Sequence, residues 1–363
     1  MSKNKRVAIL FGGRSAEHEI SLISAINIIK ALDRERFTPT LIGLDKQGAW
    51  FLQDEEAFLA QEQNPKTVKL QDKSRPLTLL PGLKGPHIYN LKTGLPIPEP
   101  DVIFPILHGP NGEDGTIQGL LRQINLPFVG PDVLSSAAAM DKDIAKRLMT
   151  HAGIPNAPFR TFNLSEKAQI NFADLVSDLK LPLFVKPANM GSSVGISRVE
   201  NAKEVLAAIN LAFAHDVKII IEEGLKGREI ECAILGNESP KASPIGEIVP
   251  QDGFYDYEAK YIDAKSAALL LPAPDMDPAT IARVQALAIK THQVLECTGL
   301  SRVDFFLSPE GELFVNEVNT LPGFTKISMY PSLWELGGVE YSDLINQLLD
   351  LAIQRKAVFD KLG

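Results

Sequence analysis

From Ser301 to Pro322 the chain reads S-R-V-D-F-F-L-S-P-E-G-E-L-F-V-N-E-V-N-T-L-P, and no other stretch restricts the fold as much. Two apolar runs are joined at Ser308-Pro309-Glu310-Gly311, so the pattern predicts a β-hairpin closed at 308–311. Glu317 and Asn319 stand two apart on an extended run and project from one face, and the hairpin brings Asp304 alongside them on the neighbouring strand. Phe305, Phe306, Leu307, Phe314, Val315 and Val318 make these strands core-like on both faces, where unpaired acids are costly. Carboxylate and amide oxygens with no His or Cys among them suit a hard, octahedral cation that keeps positions open for phosphate, Mg2+ rather than zinc. The plainer alternative is a polar strand face in water.

A chain of 363 residues exceeds one ordinary core and divides naturally into two or three domains. No run approaches the uninterrupted apolar length of a membrane span. Basic residues and a short apolar run open the chain, but Gly12-Gly13-Arg14 ends that run too early for a signal peptide, which predicts a first β-strand. Cys232 and Cys297 are the only cysteines, too few for a disulfide framework, and a reducing cytosol fits. The net charge is -8 with no basic block, which gives a nucleic-acid partner little electrostatic support.

Val7–Phe11 is an apolar run, Ile20–Leu32 repeats apolar residues at helical spacing, and Thr38–Leu44 is extended again, a β-α-β order. Residues 45–100 scatter Gln, Lys, Pro and Gly among short apolar runs and are expected to elaborate the surface. Val102–Leu107 resumes as a buried strand, a helix starts at Thr116 after a glycine-rich loop, and Leu126–Gly130 predicts a further short strand. The expected domains are 1–131, 132–222 and 223–363. The second has a helix near 141–152, strands near 158–163, 182–187 and 195–199, and a helix near 201–213. The third has strands from Ile219 and Glu229 onward, a helix at 278–297, the acidic hairpin, and a closing helix near 341–354.

Several loops carry candidate chemistry. Lys186 ends the strand L-P-L-F-V-K-P and is followed by N-M-G-S-S-V-G, whose Ser192, Ser193 and exposed N–H groups could cover a polyphosphate; an ordinary hairpin turn would look similar. It is not a Walker loop, because the lysine precedes the glycines and strands flank them. A cation at that strand end requires an anion nearby. Gly12-Gly13-Arg14-Ser15-Ala16-Glu17 lies between strand and helix but lacks the third glycine of a dinucleotide fingerprint, which argues against a nicotinamide cofactor. Glu17 is either a dipole-complementing acid or a carboxylate for a substrate ammonium. His108 sits at the carboxyl edge of the first sheet, where ligands collect in open α/β folds. Lys142 starts a helix and would ordinarily face solvent. The tyrosine-rich run at 254–261 suits a mobile lid or a tyrosine-rich surface loop.

The ordered motifs G-G-R-S-A-E-H-E-I-S, H-G-P-N-G-E-D-G-T, M-D-K, V-K-P then G-S-S-V-G, Y-D-Y-E-A-K-Y, R-V-D and N-E-V-N-T-L-P-G resemble the D-alanine:D-alanine ligase family of the ATP-grasp superfamily, from residue 11 to about 330. The longer 45–100 segment resembles its long-form members. The resemblance implies an α/β fold of three domains, with a Rossmann-like parallel sheet first and two α+β domains enclosing ATP. It further implies that ATP phosphorylates one D-alanine and the amine of a second attacks the acyl phosphate. Glu17 would bind the first ammonium, with Ser192 and Tyr261 joining it in a lock over the site. Asp304, Glu317 and Asn319 would hold two Mg2+ ions, for which Mn2+ could substitute. Lys142, Lys186 and Lys260 would balance phosphate charge, with Ser193 in the phosphate loop. Glu229 would take the ribose, while Glu222, Glu223, Leu225 and Phe306 would surround adenine. Glu223 stands where several members carry a lysine or another residue, so the resemblance implies only backbone contacts to adenine from Glu222 to Leu225. Arg302 and the Gly323 N–H would face the oxyanion, Ser328 would receive the second carboxylate, and His108 would act as a base or orient the acyl phosphate. A cytoplasmic homodimer is the corresponding expectation. The rivals are a D-alanine:D-lactate depsipeptide ligase, a non-catalytic nucleotide-binding relative, and a nicotinamide dehydrogenase.

Overall fold

The computed structural model describes residues 4–61, 63–82, 84–250 and 267–362. Three sheets organise them. The first contains β1 (Lys5–Gly12), β2 (Phe37–Leu44), β3 (Trp50–Leu52), β4 (Pro76–Leu79), β5 (Ile88–Asn90) and β6 (Val102–Ile106), in the order β5-β4-β3-β2-β1-β6. Val7 to Phe11 are wholly buried, as a strand covered on both faces requires. β1 runs parallel to β2 and β6, and the helix His18–Ala31 makes the crossover. The 45–100 segment adds β3, β4 and β5 as antiparallel strands on one edge. Their three- and four-residue lengths explain why no period betrayed them.

The second sheet is antiparallel and consists of β7 (Phe159–Asn163), β8 (Leu183–Pro187), β9 (Ser197–Val199) and β10 (Lys218–Glu223), in the order β7-β10-β8-β9. The third contains β11 (Arg228–Gly236), β12 (Lys241–Pro250), β13 (Ala267–Leu270), β14 (Gly299–Leu307) and β15 (Leu313–Asn319), ordered β13-β12-β11-β14-β15.

Three expectations change. Leu126–Gly130 forms only a single bridge, Phe128 to Ile103, because Pro127 and Pro131 cannot donate to a ladder. Four α-helices were not anticipated: Glu55–Leu59, Val133–Met140, whose first N–H is capped by Asp132, Phe172–Leu179 and Met329–Leu336. The acidic hairpin forms as expected, but it is buried on one face only. Val303, Phe305 and Leu307 point into the core, whereas Arg302, Asp304 and Phe306 alternate with them on a half-buried face.

The cores are not divided as the sheets are. One cluster joins Ile26, Phe104 and Val7 of the first sheet layer to Leu300, Phe324, Tyr330 and Leu348 near the chain's end. A second packs Ala145 and Met149 of the helix Lys142–His151 against Ile230, Val303 and Val315. The β7–β10 sheet has a separate core around Leu175, Leu183, Val185 and Ile219.

Candidate active site

A cleft of about 790 Å³ lies where the carboxyl ends of the first sheet meet the β14–β15 hairpin and the loop after β8. Glu17, immediately before the first helix, is 8% exposed. A Cβ on Gly109 would come within 3.6 Å of its Oε2 and one on Gly191 within 3.7 Å, so the carboxylate sits between the histidine loop and the Gly/Ser loop.

His108 Nδ1 bonds the Leu321 carbonyl at 2.9 Å, which requires Nδ1 to carry the proton. In the neutral ring Nε2 is then an acceptor, and this atom is buried, without a hydrogen-bond partner, on a residue lining the cleft. Glu113 completes the join. It accepts from the Gly109 N–H and the Leu321 N–H, both at 2.8 Å. Burial pushes Glu113 above the ordinary carboxylate range against the pull of His108, and the Glu17 charge adds to the rise. Glu113 had received no role from the sequence, although it stands in the glycine-rich loop.

On the adjoining hairpin, Asp304 and Glu317 are register partners and Asn319 pairs with Arg302. Arg302 forks onto Asp304 at 2.8 and 2.7 Å and reaches Glu231 at 2.8 Å, while Asn319 Nδ2 donates to Asp304 at 2.9 Å. Glu317 lies 3.7 Å from Lys142. The two carboxylates and the remaining Asn319 amide oxygen form an all-oxygen set too small to enclose a cation. That fits Mg2+ whose other positions are taken by phosphate and water. Among the described residues no group of three His, Cys, Asp or Glu could hold a metal.

Lys142 and Lys186 both line the cleft, and each rests on a protein acceptor. Lys142 donates to the Met190 carbonyl at 2.7 Å, which ties its helix to the Gly/Ser loop. Lys186 finds the required anion in Glu222. Lys146, one helical turn after Lys142, lies 3.0 Å from the other Glu222 oxygen. Burial alone would raise Glu222, but Lys146 and Lys186 hold its carboxyl down to about 2. In the Gly/Ser loop, Ser192 and Ser193 adopt left-handed φ values of 51° and 60°. Such a conformation costs about 1–3 kcal/mol per non-glycine residue and accumulates at ligand clamps.

At the end of β10 the Glu223 and Gly224 N–H groups are taken by the Pro158 and Pro182 carbonyls at 3.0 and 2.7 Å. Leu225 lines the cleft beyond them, and Glu229 lines it opposite its cross-strand neighbour Phe306. At the far end, Ser328 Oγ accepts from the Thr325 N–H at 2.9 Å, and a Cβ on Gly323 would fall 2.7 Å from that oxygen. Gly323 is thus the residue that lets the hydroxyl approach. Lys260 and Tyr261 lie outside the described residues. Lys146, Glu231 and Thr325 also escaped the sequence reading; the four-residue spacing from Lys142 was the one available signal.

One cleft between the sheets is thus lined by Lys142, Lys186, Asp304 and Glu317 together with Glu17 and His108. The comparisons agree. Residues 6–131 match the D-ala D-ala ligase N-terminus and residues 148–350 the D-ala D-ala ligase C-terminus. The D-alanine--D-alanine ligase of Shouchella clausii is 52% identical over 97% of this chain and 95% of its own length. D-alanine--D-alanine ligase A of Escherichia coli K12 is 50% identical over 98% of both. Among solved structures, the Coxiella burnetii D-alanine-D-alanine ligase superposes with a TM-score of 0.87 at 36% identity, covering 99% of this chain and 97% of that one. VanG D-Ala:D-Ser ligase from Enterococcus faecalis gives 0.85 at 37%, covering 96% and 100%. The chain belongs to the D-alanine–D-alanine ligase family, and its fold is the multi-domain ATP-grasp arrangement.

Proposed function

We propose that the protein joins two D-alanine molecules into D-alanyl-D-alanine through an acyl phosphate, converting ATP to ADP and phosphate and supplying a peptidoglycan precursor. The observation that carries this reading is that Glu17, His108, Lys142, Lys186, Asp304 and Glu317 all line a single cleft. Glu17 holds the first ammonium and leaves that substrate's carboxylate turned toward the phosphates. Lys142, Lys186 and, from the segment outside the described residues, Lys260 balance phosphate charge, while the Ser192–Ser193 loop and Tyr261 keep water from an acyl phosphate that would otherwise hydrolyse. Glu229 and Phe306 receive the nucleoside beside Leu225. Asp304, Glu317 and Asn319 would hold two Mg2+ ions, for which Mn2+ could substitute, and the bound metal would supply charge neutralisation to the phosphoryl group.

Ser328 receives the second substrate's carboxylate. The His108 Nε2 lone pair, fixed by the Nδ1 bond to Leu321, is positioned to take a proton from the second ammonium. The Arg302 guanidinium and the Gly323 N–H stabilise the oxyanion that forms when the amine adds to the acyl carbon. Collapse of that intermediate breaks the carbon–oxygen bond and expels phosphate. The family's likeness supports a cytoplasmic homodimer, and no helix of the described residues is long and apolar enough to cross a membrane.

The test is phosphate release from ATP and Mg2+ with D-alanine, L-alanine, or D-alanine mixed with D-lactate or D-serine, with products identified by mass. Release driven by D-alanine alone, giving the D,D-dipeptide, is the expected result. A mixed ester or a D-alanyl-D-serine product in preference would reassign the second subsite. ATP binding without stimulation by any of these substrates would overturn the ligase reading.

A further inference from the structure

Lys146 is an unusual cation. It is 2% exposed, does not line the cleft, and stacks at 5.7 Å over the Phe159 ring on the far side of Glu222. Lys186 and Glu222 are diagonal neighbours on β8 and β10, since Phe184 pairs with Glu222 and Ile220 with Lys186, and both line the cleft. One carboxylate 4% exposed therefore carries a lysine on each oxygen, one facing the cleft and one behind it. Two cations on a single anion leave a surplus positive charge, and the surplus has a direction: only the ammonium of Lys186 can move into the cleft without crossing Glu222.

We propose that Lys146 is the standing counter-ion of Glu222, a positioning residue that frees Lys186 to leave Glu222 for an incoming polyphosphate. The inference rests on the reading that ATP occupies this cleft. If Lys186 were the only partner of Glu222, drawing it toward phosphate would leave a bare carboxylate in a buried site, and that cost would be subtracted from nucleotide affinity. With Lys146 behind it, Glu222 remains paired before and after the transfer. Burial and the charges of Lys186 and Lys142 press the Lys146 ammonium toward neutrality against the pull of Glu222, so Lys146 too gains when Lys186 departs.

The experiment measures Mg-ATP and AMP affinity by calorimetry on the full chain, for wild type, Lys146→Met, Glu222→Gln and the double variant, with thermal unfolding alongside. Lys146→Met is expected to weaken Mg-ATP about tenfold while AMP changes less than about twofold, because only the polyphosphate requires Lys186. Removing the orphaned charge abolishes the effect, so the double variant binds Mg-ATP as Glu222→Gln does. This second comparison stands even if Lys146→Met alone fails to fold. Equal weakening of AMP and ATP, unchanged ATP affinity in Lys146→Met, or a double variant about tenfold weaker than Glu222→Gln would each overturn the proposal. Wild-type protein that binds no ATP would remove the nucleotide reading and this inference together, whereas tight wild-type binding with an indifferent Lys146→Met removes this inference alone.

Discussion

The seam between the first and third sheets and the face that the β7–β10 sheet turns to the cleft are built from different bonds. At the seam, Glu113 and His108 hold the Leu321 N–H and carbonyl, Ser24 accepts from the Phe324 N–H, and one continuous core runs beneath. Backbone groups and short side chains fix such a joint in one geometry. Across the cleft, the contacts to Glu222 and Met190 come from the long flexible stems of Lys142, Lys146 and Lys186, and the sheet behind Lys186 keeps its own core. The wall assigned to amino acids is fastened through backbone bonds and a shared core, while the wall assigned to nucleotide can exchange one counter-ion for another. Selecting between small substrates demands the first property, and admitting and releasing a polyanion demands the second.

Four changes would break or sharpen this contrast. Arg302→Met should have the largest effect, lowering kcat for D-alanine-dependent phosphate release about 10²–10³-fold, the usual consequence of losing an oxyanion donor. A wild-type kcat in single-turnover assays would make Arg302 only the partner of Asp304 and Glu231. Next comes the pH dependence of Glu222. Its carboxyl is lowered from 4.5 to about 2, so the stability it contributes is fully present above pH 4.5 and is lost as pH falls through the folded value. Urea midpoints should therefore drop steeply between pH 4.5 and 2 in wild type, by a few kcal/mol in free energy, with a flatter profile in Glu222→Gln; parallel profiles would contradict the pairing. Glu113→Gln turns one acceptor facing a backbone N–H into a donor, and about 1–3 kcal/mol of unfolding free energy should go with it. If denaturation instead shows no change, the seam does not depend on that carboxylate. Arg36→Ala removes an exposed pair to Asp350 on the closing helix Tyr341–Phe359 and should cost less than about 1 kcal/mol, which a thermal melt can bound.

The site was legible to different depths in different places. The placement of Asp304, Glu317 and Asn319 could be read because strand alternation ties Glu317 to Asn319 locally, and the turn at 308–311 fixes where Asp304 must lie. The unanticipated β3, β4 and β5 strands show the opposite case, since runs of three or four residues carry no period and form only because a sheet edge is there to receive them. Leu126–Gly130 misled for a similar reason: its apolar residues fit a strand, but its prolines left only one bridge to β6.

By itself the sequence determined the motif order, the first and closing helices, the acidic hairpin, and the need of Lys186 for an anion, all properties that depend on residues close in the chain or on one strand's geometry. The tertiary structure alone decided that Glu113 answers Leu321 across 208 positions, that Arg302 is shared between Asp304 and Glu231, and that Glu222 takes a second lysine from a helix beginning 80 residues earlier. Those pairings follow from which buried charges the folded sheets bring within reach of one another, and a buried charge must find its partner in space wherever the chain has placed it.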